Sequence, residues 1–293
     1  MGLHHKSGLA YALQYAAEIL KQGIGVKKRD VYKENNGVSP YIHSYSTFNR
    51  YMGIAKEFIN FAKARGINKL NKLDSDVVNS FINEKIGKGY SQKTIKVNLS
   101  ALGKFFAVVN REDLSEHIKN NYADFYSSAS QPGRALAFSN PQAVIQSLKD
   151  PVYQAMAIVQ YFSGARIGDI KKMHIKDTQL LFSGSKGGKD RVIDFSDRTE
   201  KLKIIRQAKE VIDKAIEEKG WKSMRKEYYQ SLKQACKKTG EIYTGAHAFR
   251  VNYIKERVNE LESKGYSHKE ALKIASKETG HNRVSITSYY YGG

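Results

Sequence analysis

Residues 180–195 have the sequence LLFSGSKGGKDRVIDF and contain the clear β signal of the chain. Apolar runs at residues 180–182 and 192–195 flank Gly187 and Gly188, a pattern that predicts a β-hairpin with a glycine-containing, lysine-rich tip. Most of the remaining apolar residues recur with the period of about 3.6 residues that marks helices. The sequence therefore predicts a mainly α protein with a small β-hairpin or sheet, an α+β fold.

The composition of residues 127–134, rich in Ser with one Pro and one Gly, predicts a linker and with it a domain boundary. Residues 41–126 before it are predicted to form a small all-helical domain. Residues 135–293 after it form a second, mostly helical domain that contains the hairpin. Residues 1–40 stand apart as an N-terminal segment with one predicted helix, a loop at residues 34–37 and no assigned role.

Three helices are predicted in residues 41–126 from their capping residues. The first is capped by Ser46, the second by Asp74 or Ser75, and the third by Ser91. Their apolar residues share one face, while lysines and asparagines fill the other. A bundle with a solvated exterior and a bundle whose basic face lies on a DNA backbone fit this pattern equally well.

The charge of the chain predicts a polyanionic partner. Its 293 residues include 49 Lys and Arg against 29 Asp and Glu, a formal net charge of +20. Because each phosphate contact releases counterions, nucleic acid is the first candidate, with an anionic membrane surface as the alternative. No apolar run approaches the roughly 18 residues of a membrane span, and the N-terminus lacks the apolar core of a signal peptide. DNA or RNA is therefore favoured, and no membrane partner is expected.

The chain contains one cysteine, Cys236. A lone thiol excludes an internal disulfide and a multi-cysteine zinc site, and it is compatible with a reducing cytoplasm. No signature of a cysteine enzyme surrounds it, so Cys236 is expected to be an ordinary helix residue. No metal and no cofactor are expected.

Four short segments of the second domain hold residues suited to phosphoryl transfer: 163–169, 185–191, 247–250 and 280–291. Taken singly, each pattern is usually structural: an ion pair, an exposed hairpin tip, a pair on one helix face and a packed run of tyrosines. Together they supply the parts that metal-free phosphodiester transesterification needs. These are a nucleophile, cations for the non-bridging oxygens and an acid for the leaving 5′ oxygen. Arginine suits the cation role because its planar, permanently charged fork matches phosphate.

At these residues the sequence resembles the tyrosine recombinase, or phage integrase, family. Members of the family show an arginine, a hairpin lysine, His-x-x-Arg, Gly-His and a tyrosine, in that order. The resemblance extends over about residues 41–291 and includes the end of the family's core-binding domain. The matching residues are Arg166 with Asp169 three positions later, Lys186 with Lys189 in reserve, His247, Arg250, His281, and Tyr290 nine positions after His281.

The resemblance implies a role for each matching residue. Tyr290 would attack the scissile phosphate and form a 3′-phosphotyrosyl link, with Tyr289 and Tyr291 as neighbouring alternatives. Arg166 and Arg250 would hold the non-bridging oxygens, and His281 would add a donor.

Proton transfer and DNA binding are implied in the same way. Lys186 would protonate the leaving 5′-hydroxyl, His247 would assist proton transfer around the tyrosine, and Asp169 would buttress the arginines. DNA contacts are expected from Lys189, Arg191, Lys93 and Lys96.

The resemblance also implies an assembly. The two domains would clamp double-stranded DNA at a specific recombination site, as a free monomer that forms a homotetramer on DNA and acts through a Holliday junction. The expected location is the cytoplasm, on the nucleoid. Many members carry a further C-terminal segment that docks on a neighbouring protomer. This sequence ends three residues after Tyr290, so either it is shortened or protomers couple through other contacts.

Two alternatives remain beside a recombinase. One is a DNA-binding protein of the same fold that no longer recombines, which the full set of candidate catalytic residues disfavours. The other is a nicking-closing enzyme like the type IB topoisomerases, which the size of the chain and its helical N-terminal domain disfavour. The target DNA sequence and the natural task stay open.

Overall fold

The computed structural model describes residues 4, 7–34, 39–127, 136–185, 189–281 and 284–292. The chain divides into two compact units, Met1–Gln131 and Pro132–Gly293. The predicted linker at 127–134 lies outside the described residues except for Ser127, and so does most of the predicted loop at 34–37.

The first unit is a helical bundle. Its core contains Phe58, whose ring meets those of Phe81 and Phe106 edge-on at centroid distances of 5.4 and 5.5 Å. A short 3-10 turn, Leu70–Lys72, precedes the fourth helix. The helices are α1 (Leu9–Lys21), α2 (Lys28–Glu34), α3 (Tyr45–Lys63), α4 (Ser75–Gly87), α5 (Gln92–Val108), α6 (Glu112–Asn121) and α7 (Ala123–Ser127).

Helix α1 is part of this bundle. Leu9, Ala12, Ala16 and Leu20 repeat every three or four positions, and all four are buried in the same apolar cluster as Phe58. Helical periodicity thus correctly predicted α1. The N-terminal segment that the sequence left without a role supplies one wall of the first unit's core.

The helix caps of the first unit follow hydrogen-bonding chemistry. Asp74 and Ser91 cap α4 and α5 as predicted, since their side chains accept the backbone N–H groups of Val77 and Thr94. The prediction that Ser46 caps α3 is wrong, because Ser44 is the cap. Ser44 has the extended backbone that a cap needs (φ −143°, ψ 142°), whereas Ser46 already lies inside the first helical turn.

The second unit combines helices with a small antiparallel sheet. The sheet has the order β1-β2-β3, and the predicted hairpin is its β2–β3 pair. The hairpin tip, residues 186–188, lies outside the described residues. The strands are β1 (Met173–Lys176), β2 (Gln179–Ser185) and β3 (Lys189–Asp194). The helices are α8 (Pro141–Ser147), α9 (Pro151–Ser163), α10 (Thr199–Lys219), α11 (Trp221–Thr239), α12 (His247–Ser263), α13 (His268–Thr279) and α14 (Val284–Gly292), with a 3-10 helix at Ile167–Lys172.

Helix α9 lies at the centre of the second unit. It is packed between α10 and α12, and Met156, Ala157 and Val159 are fully buried. Cys236 is buried in α11, and burial raises the pKa of its thiol to about 11, which makes it a poor nucleophile at neutral pH. No helix among the described residues is long and apolar enough to cross a membrane.

Candidate active site

The turn after α9 places Arg166. The helix ends at Gly164, whose φ of 61° is left-handed, and a Cβ atom there would lie 2.5 Å from the ring of Tyr253. Glycine is therefore required at this position. The chain then turns into the 3-10 helix, and Arg166 Nη1 lies 3.7 Å from Asp169 Oδ2, so the two residues form an ion pair across one turn.

Arg250 lies at the bottom of the site. It follows His247 by three residues in the first turn of α12, and its side chain is fully buried. Its guanidinium donates to the carbonyl oxygens of Gly164, at the end of α9, and Thr279, at the end of α13. Burial, followed by repulsion from Arg166, lowers the pKa of Arg250 well below its ordinary value.

Asp169 bridges two arginines. Its Oδ2 atom lies 3.7 Å from Arg166 Nη1 and 3.8 Å from Arg191 Nη2. The guanidinium of Arg191 also stacks on the ring of Phe182 at 3.9 Å and donates to the carbonyl oxygen of Glu278 at 2.9 Å. The role of Arg191 as a DNA contact stays a prediction. Arg191 is 6% exposed, because its guanidinium lies between the ring of Phe182 and the carboxylate of Asp169. The side chain thereby connects strand β3 to Asp169.

His281 follows the end of α13. Gly280 closes that helix with a φ of 65°, and His281 Nδ1 lies 2.8 Å from the buried Oγ1 of Thr287. Burial, followed by the nearby cations Arg250 and Arg166, lowers the pKa of His281 to about 3. The imidazole is therefore neutral at pH 7 and suited to donate a hydrogen bond without carrying charge.

Adjacent tyrosines on α14 make different contacts. The ring of Tyr290 lies between two histidines, with centroids 5.3 Å from His247 and 5.2 Å from His281. Tyr291 turns the other way: its hydroxyl donates to Asn259 Oδ1 at 3.0 Å. These contacts favour Tyr290 as the reactive phenol and make Tyr291 an anchor of the helix.

Several buried polar atoms of the site lack a hydrogen-bond partner within the described part of the chain. They are Asp169 Oδ2, Ser185 Oγ, Arg191 Nε and Nη2, and Arg250 Nε. Unsatisfied donors on clustered arginines suit an anion that is bound in their midst. In the same described residues, no group of three or more His, Cys, Asp or Glu could hold a metal ion.

Comparisons with known proteins show which proteins this chain is similar to. Residues 42–113 match the family model described as the phage integrase N-terminal SAM-like domain. Tyrosine recombinase XerC of Thermodesulfovibrio yellowstonii is 28% identical over 162 residues, which cover 51% of this chain and 52% of the relative. XerC of Bacillus subtilis is 27% identical over 175 residues, 55% of this chain and 57% of the relative. The chain spans about half the length of the curated relatives it matches.

Solved structures share the fold. A lambda integrase bound to DNA superimposes with a TM-score of 0.62 at 18% identity, covering 97% of this chain and 95% of that one. A lambda integrase dimer bound to a COC' core site gives the same TM-score and identity over 98% of this chain and 78% of that one. The chain is therefore similar in sequence to tyrosine recombinases over about half of its length, and its fold is that of lambda integrase. Within the second unit, the predicted residues Arg166, His247, Arg250, His281 and Tyr290 lie close together.

These contacts do not test the roles of the remaining predicted residues. Lys186 is outside the described residues, and Lys189 begins β3 with a side chain that is not described. Lys93 and Lys96 lie on α5 of the first unit, exposed and half-buried. The role of Lys186 as the acid stays a prediction, and so do the DNA contacts expected from Lys189, Lys93 and Lys96.

Sequence patterns missed a buried carboxylate beside the site. Glu278 is 8% exposed and accepts hydrogen bonds from Tyr253, Arg198 and Arg257. One signal was available: Glu278 lies in the last turn of α13, where the helix dipole disfavours a carboxylate. A carboxylate at such a position implies nearby cations that stabilise it.

Proposed function

We propose that this protein is a site-specific DNA recombinase of the tyrosine recombinase family, which cuts and rejoins DNA through a 3′-phosphotyrosyl link at Tyr290. The observation that supports it most is the position of the Tyr290 ring between His247 and His281, beside the buried Arg250. A phenol is a weak nucleophile in water, and clustered cations next to the phosphate compensate for this weakness.

Cleavage exchanges one phosphoester for another. The Tyr290 oxygen attacks the phosphorus, the bond from phosphorus to the 5′ oxygen breaks, and His247 takes up the phenolic proton. Lys186 supplies the proton that the leaving 5′ oxygen needs. Because the ester bond is conserved in the phosphotyrosine, the 5′-hydroxyl of a second duplex reverses the step without ATP.

The arginines stabilise the charge that develops on the non-bridging oxygens. Arg250 is held from behind by two backbone carbonyls, and Arg166 is held by Asp169, so neither cation has to reorganise during the reaction. His281 is neutral, so it contributes a hydrogen bond and no net charge. No step in this scheme requires a metal ion.

We propose double-stranded DNA with a specific recombination site as the substrate, and a homotetramer on paired sites that passes through a Holliday junction. The net charge of +20 supports a DNA partner, and lambda integrase, which shares the fold, is described as bound to DNA. The free chain is expected to be monomeric and to act in the cytoplasm on nucleoid DNA. Light scattering with and without paired sites tests the assembly, and a complex on paired sites that stays monomeric contradicts it.

A trapping experiment tests the chemistry and identifies the target sequence at the same time. The full chain is incubated with a pool of nicked duplexes of randomised sequence, and covalent adducts are recovered in detergent and sequenced. We expect adducts on a defined sequence with wild type, none with Tyr290→Phe, and a retained adduct with the matched variant Tyr291→Phe.

Each other result selects a different function or nucleophile. An adduct that survives in Tyr290→Phe but vanishes in Tyr291→Phe moves the nucleophile by one position. Adducts without sequence preference, together with relaxation of supercoiled DNA, indicate a topoisomerase-like enzyme. Sequence-specific binding by wild type with no adduct indicates a DNA-binding protein that no longer recombines.

A further inference from the structure

The mechanism above leaves one buried charge cluster unused. Glu278 Oε2 accepts the hydroxyl of Tyr253 at 2.6 Å and Arg257 Nε at 3.1 Å. Glu278 Oε1 accepts Arg257 Nη2 at 3.0 Å and Arg198 Nη2 at 3.2 Å. Burial, followed by the negative charge of Glu278, raises the pKa of Tyr253, so the phenol stays protonated and donates. Both carboxylate oxygens of Glu278 are thus fixed by side chains from α12 and from the residue that precedes α10.

The backbone of the same residue leads directly into the active site. The carbonyl oxygen of Glu278 accepts Arg191 Nη1, and that of the next residue, Thr279, accepts the guanidinium of Arg250. Gly280 then reverses the chain, and His281 follows. Four consecutive residues therefore hold two arginines through carbonyl oxygens and carry one of the two histidines that flank Tyr290.

We propose that Glu278 is a positioning residue for the proposed DNA cleavage, and that its carboxylate fixes the turn that orients Arg250 and His281. The inference rests on the proposed function. Both carboxylate oxygens of Glu278 are engaged by Tyr253, Arg198 and Arg257, so its effect on the reaction is transmitted through the backbone of residues 279–281. A misplacement of catalytic groups by about 1 Å can cost about 100-fold in rate, so a modest release of this turn is sufficient for a large effect.

A matched control separates this role from general stabilisation. Glu260 also forms an ion pair with Arg257, at 2.9 Å, and further pairs with Lys264 and Lys201. It lies on α12, and its hydrogen bonds do not include the turn at residues 279–281. Glu260→Gln therefore makes the same chemical change in the same charge network without releasing the turn.

The test compares Glu278→Gln and Glu260→Gln on a nicked duplex recovered with wild type in the trapping experiment. For Glu278→Gln we expect DNA affinity within about threefold of wild type and a rate of adduct formation lower by about 10- to 100-fold. For Glu260→Gln we expect the DNA affinity and the rate of adduct formation to stay within about threefold of wild type. If Glu278→Gln does not fold, Glu278→Asp replaces it, because aspartate keeps the charge but withdraws the carboxylate by one methylene.

A second substrate reports on orientation of the cations alone. In a duplex with a methylphosphonate at the scissile position, one charged non-bridging oxygen is replaced by a neutral methyl group, so well-placed arginines matter less. We expect the defect of Glu278→Gln to shrink at least several-fold on this substrate.

Each remaining outcome overturns the inference. An equal defect on both substrates, or equal defects in Glu278→Gln and Glu260→Gln, shows that Glu278 only stabilises the fold. Parallel loss of DNA binding shows the same. If wild type forms no adduct at all, the proposed function fails and the inference fails with it; if wild type reacts and Glu278→Gln reacts equally fast, the inference alone fails.

Discussion

The hydroxyl of Thr287 offers a direct test of how the site orients His281. Thr287 lies in α14, fully buried, and its Oγ1 atom is 2.8 Å from His281 Nδ1. Thr279 Oγ1 is also near that nitrogen, but at 3.4 Å, and it already donates to the carbonyl of Ala275. Replacing Thr287 by valine keeps the shape and removes the hydrogen bond. The imidazole then loses the contact that fixes its rotation toward the phosphate.

The size of the effect follows from that one bond. A neutral hydrogen bond contributes about 0.5–1.5 kcal/mol, and a tenfold change in rate corresponds to about 1.4 kcal/mol. If the whole contribution serves to orient His281, Thr287→Val cleaves about 2- to 13-fold more slowly than wild type. Thr287→Ser retains the hydroxyl and is the matched control, with an expected rate within about twofold.

The assay is single-turnover formation of the covalent adduct on a trapped duplex, with DNA affinity measured beside it. The serine variant separates the hydroxyl from the packing of the methyl group. Equal rates for wild type and Thr287→Val refute the reasoning, because His281 would then be oriented without Thr287. Equal losses in the valine and serine variants refute it as well, since the methyl group would be the cause.

Three further predictions concern other parts of the molecule. Arg250→Lys should keep DNA affinity but lower adduct formation by about 10²- to 10³-fold, because one ammonium group cannot reach both carbonyls and the phosphate; a gel shift beside the adduct assay checks this. His281 has a folded-state pKa of about 3 against an ordinary 6.5, so between these values the unfolded chain binds a proton that the folded chain does not. Stability should therefore fall as pH drops below 6.5, and urea unfolding should show a shallower fall in His281→Asn. Leu20→Ala should destabilise the first unit by about 2–5 kcal/mol in urea unfolding, since Leu20 is 1% exposed; no loss would exclude α1 from the core.

Local patterns in the sequence predicted most of the fold. The hairpin at 180–195 and the helices α1, α3, α4 and α5 are visible because their apolar residues repeat with the period of the element. Strand β1 was missed, since the four residues Met173–Lys176 are too few to show an alternation. The cap of α3 was misplaced by two residues because two serines precede the same apolar face. Only the backbone conformation distinguishes Ser44 from Ser46.

The sequence predicted which residues form the candidate site and their order along the chain. It did not predict which side chains contact one another. Arg191 looked like a surface cation of a lysine-rich hairpin. In the fold it meets Phe182 from β2, Asp169 from the 3-10 helix and Glu278 from α13. Phe182 lies opposite Arg191 in the predicted hairpin, but Asp169 and Glu278 lie in other elements and share no periodic pattern with Arg191. A single sequence contains no local signal for such a meeting of separate elements, so both the burial of Arg191 and the part played by Glu278 required the structure.

The site of the second unit holds more positive charge than its own residues neutralise. Arg166, Arg191 and Arg250 converge, and Asp169 is the carboxylate paired with two of them. Burial, followed by the charges of Arg250 and Arg166, lowers the pKa of His281 to about 3, and burial lowers the pKa of Arg191 to about 10 against the opposing charge of Asp169. The fold therefore maintains an electrostatic imbalance that a phosphodiester's negative charge relieves. Because the cations are fixed before the substrate arrives, the favourable interaction is greatest where negative charge increases, which is in the transition state of phosphoryl transfer.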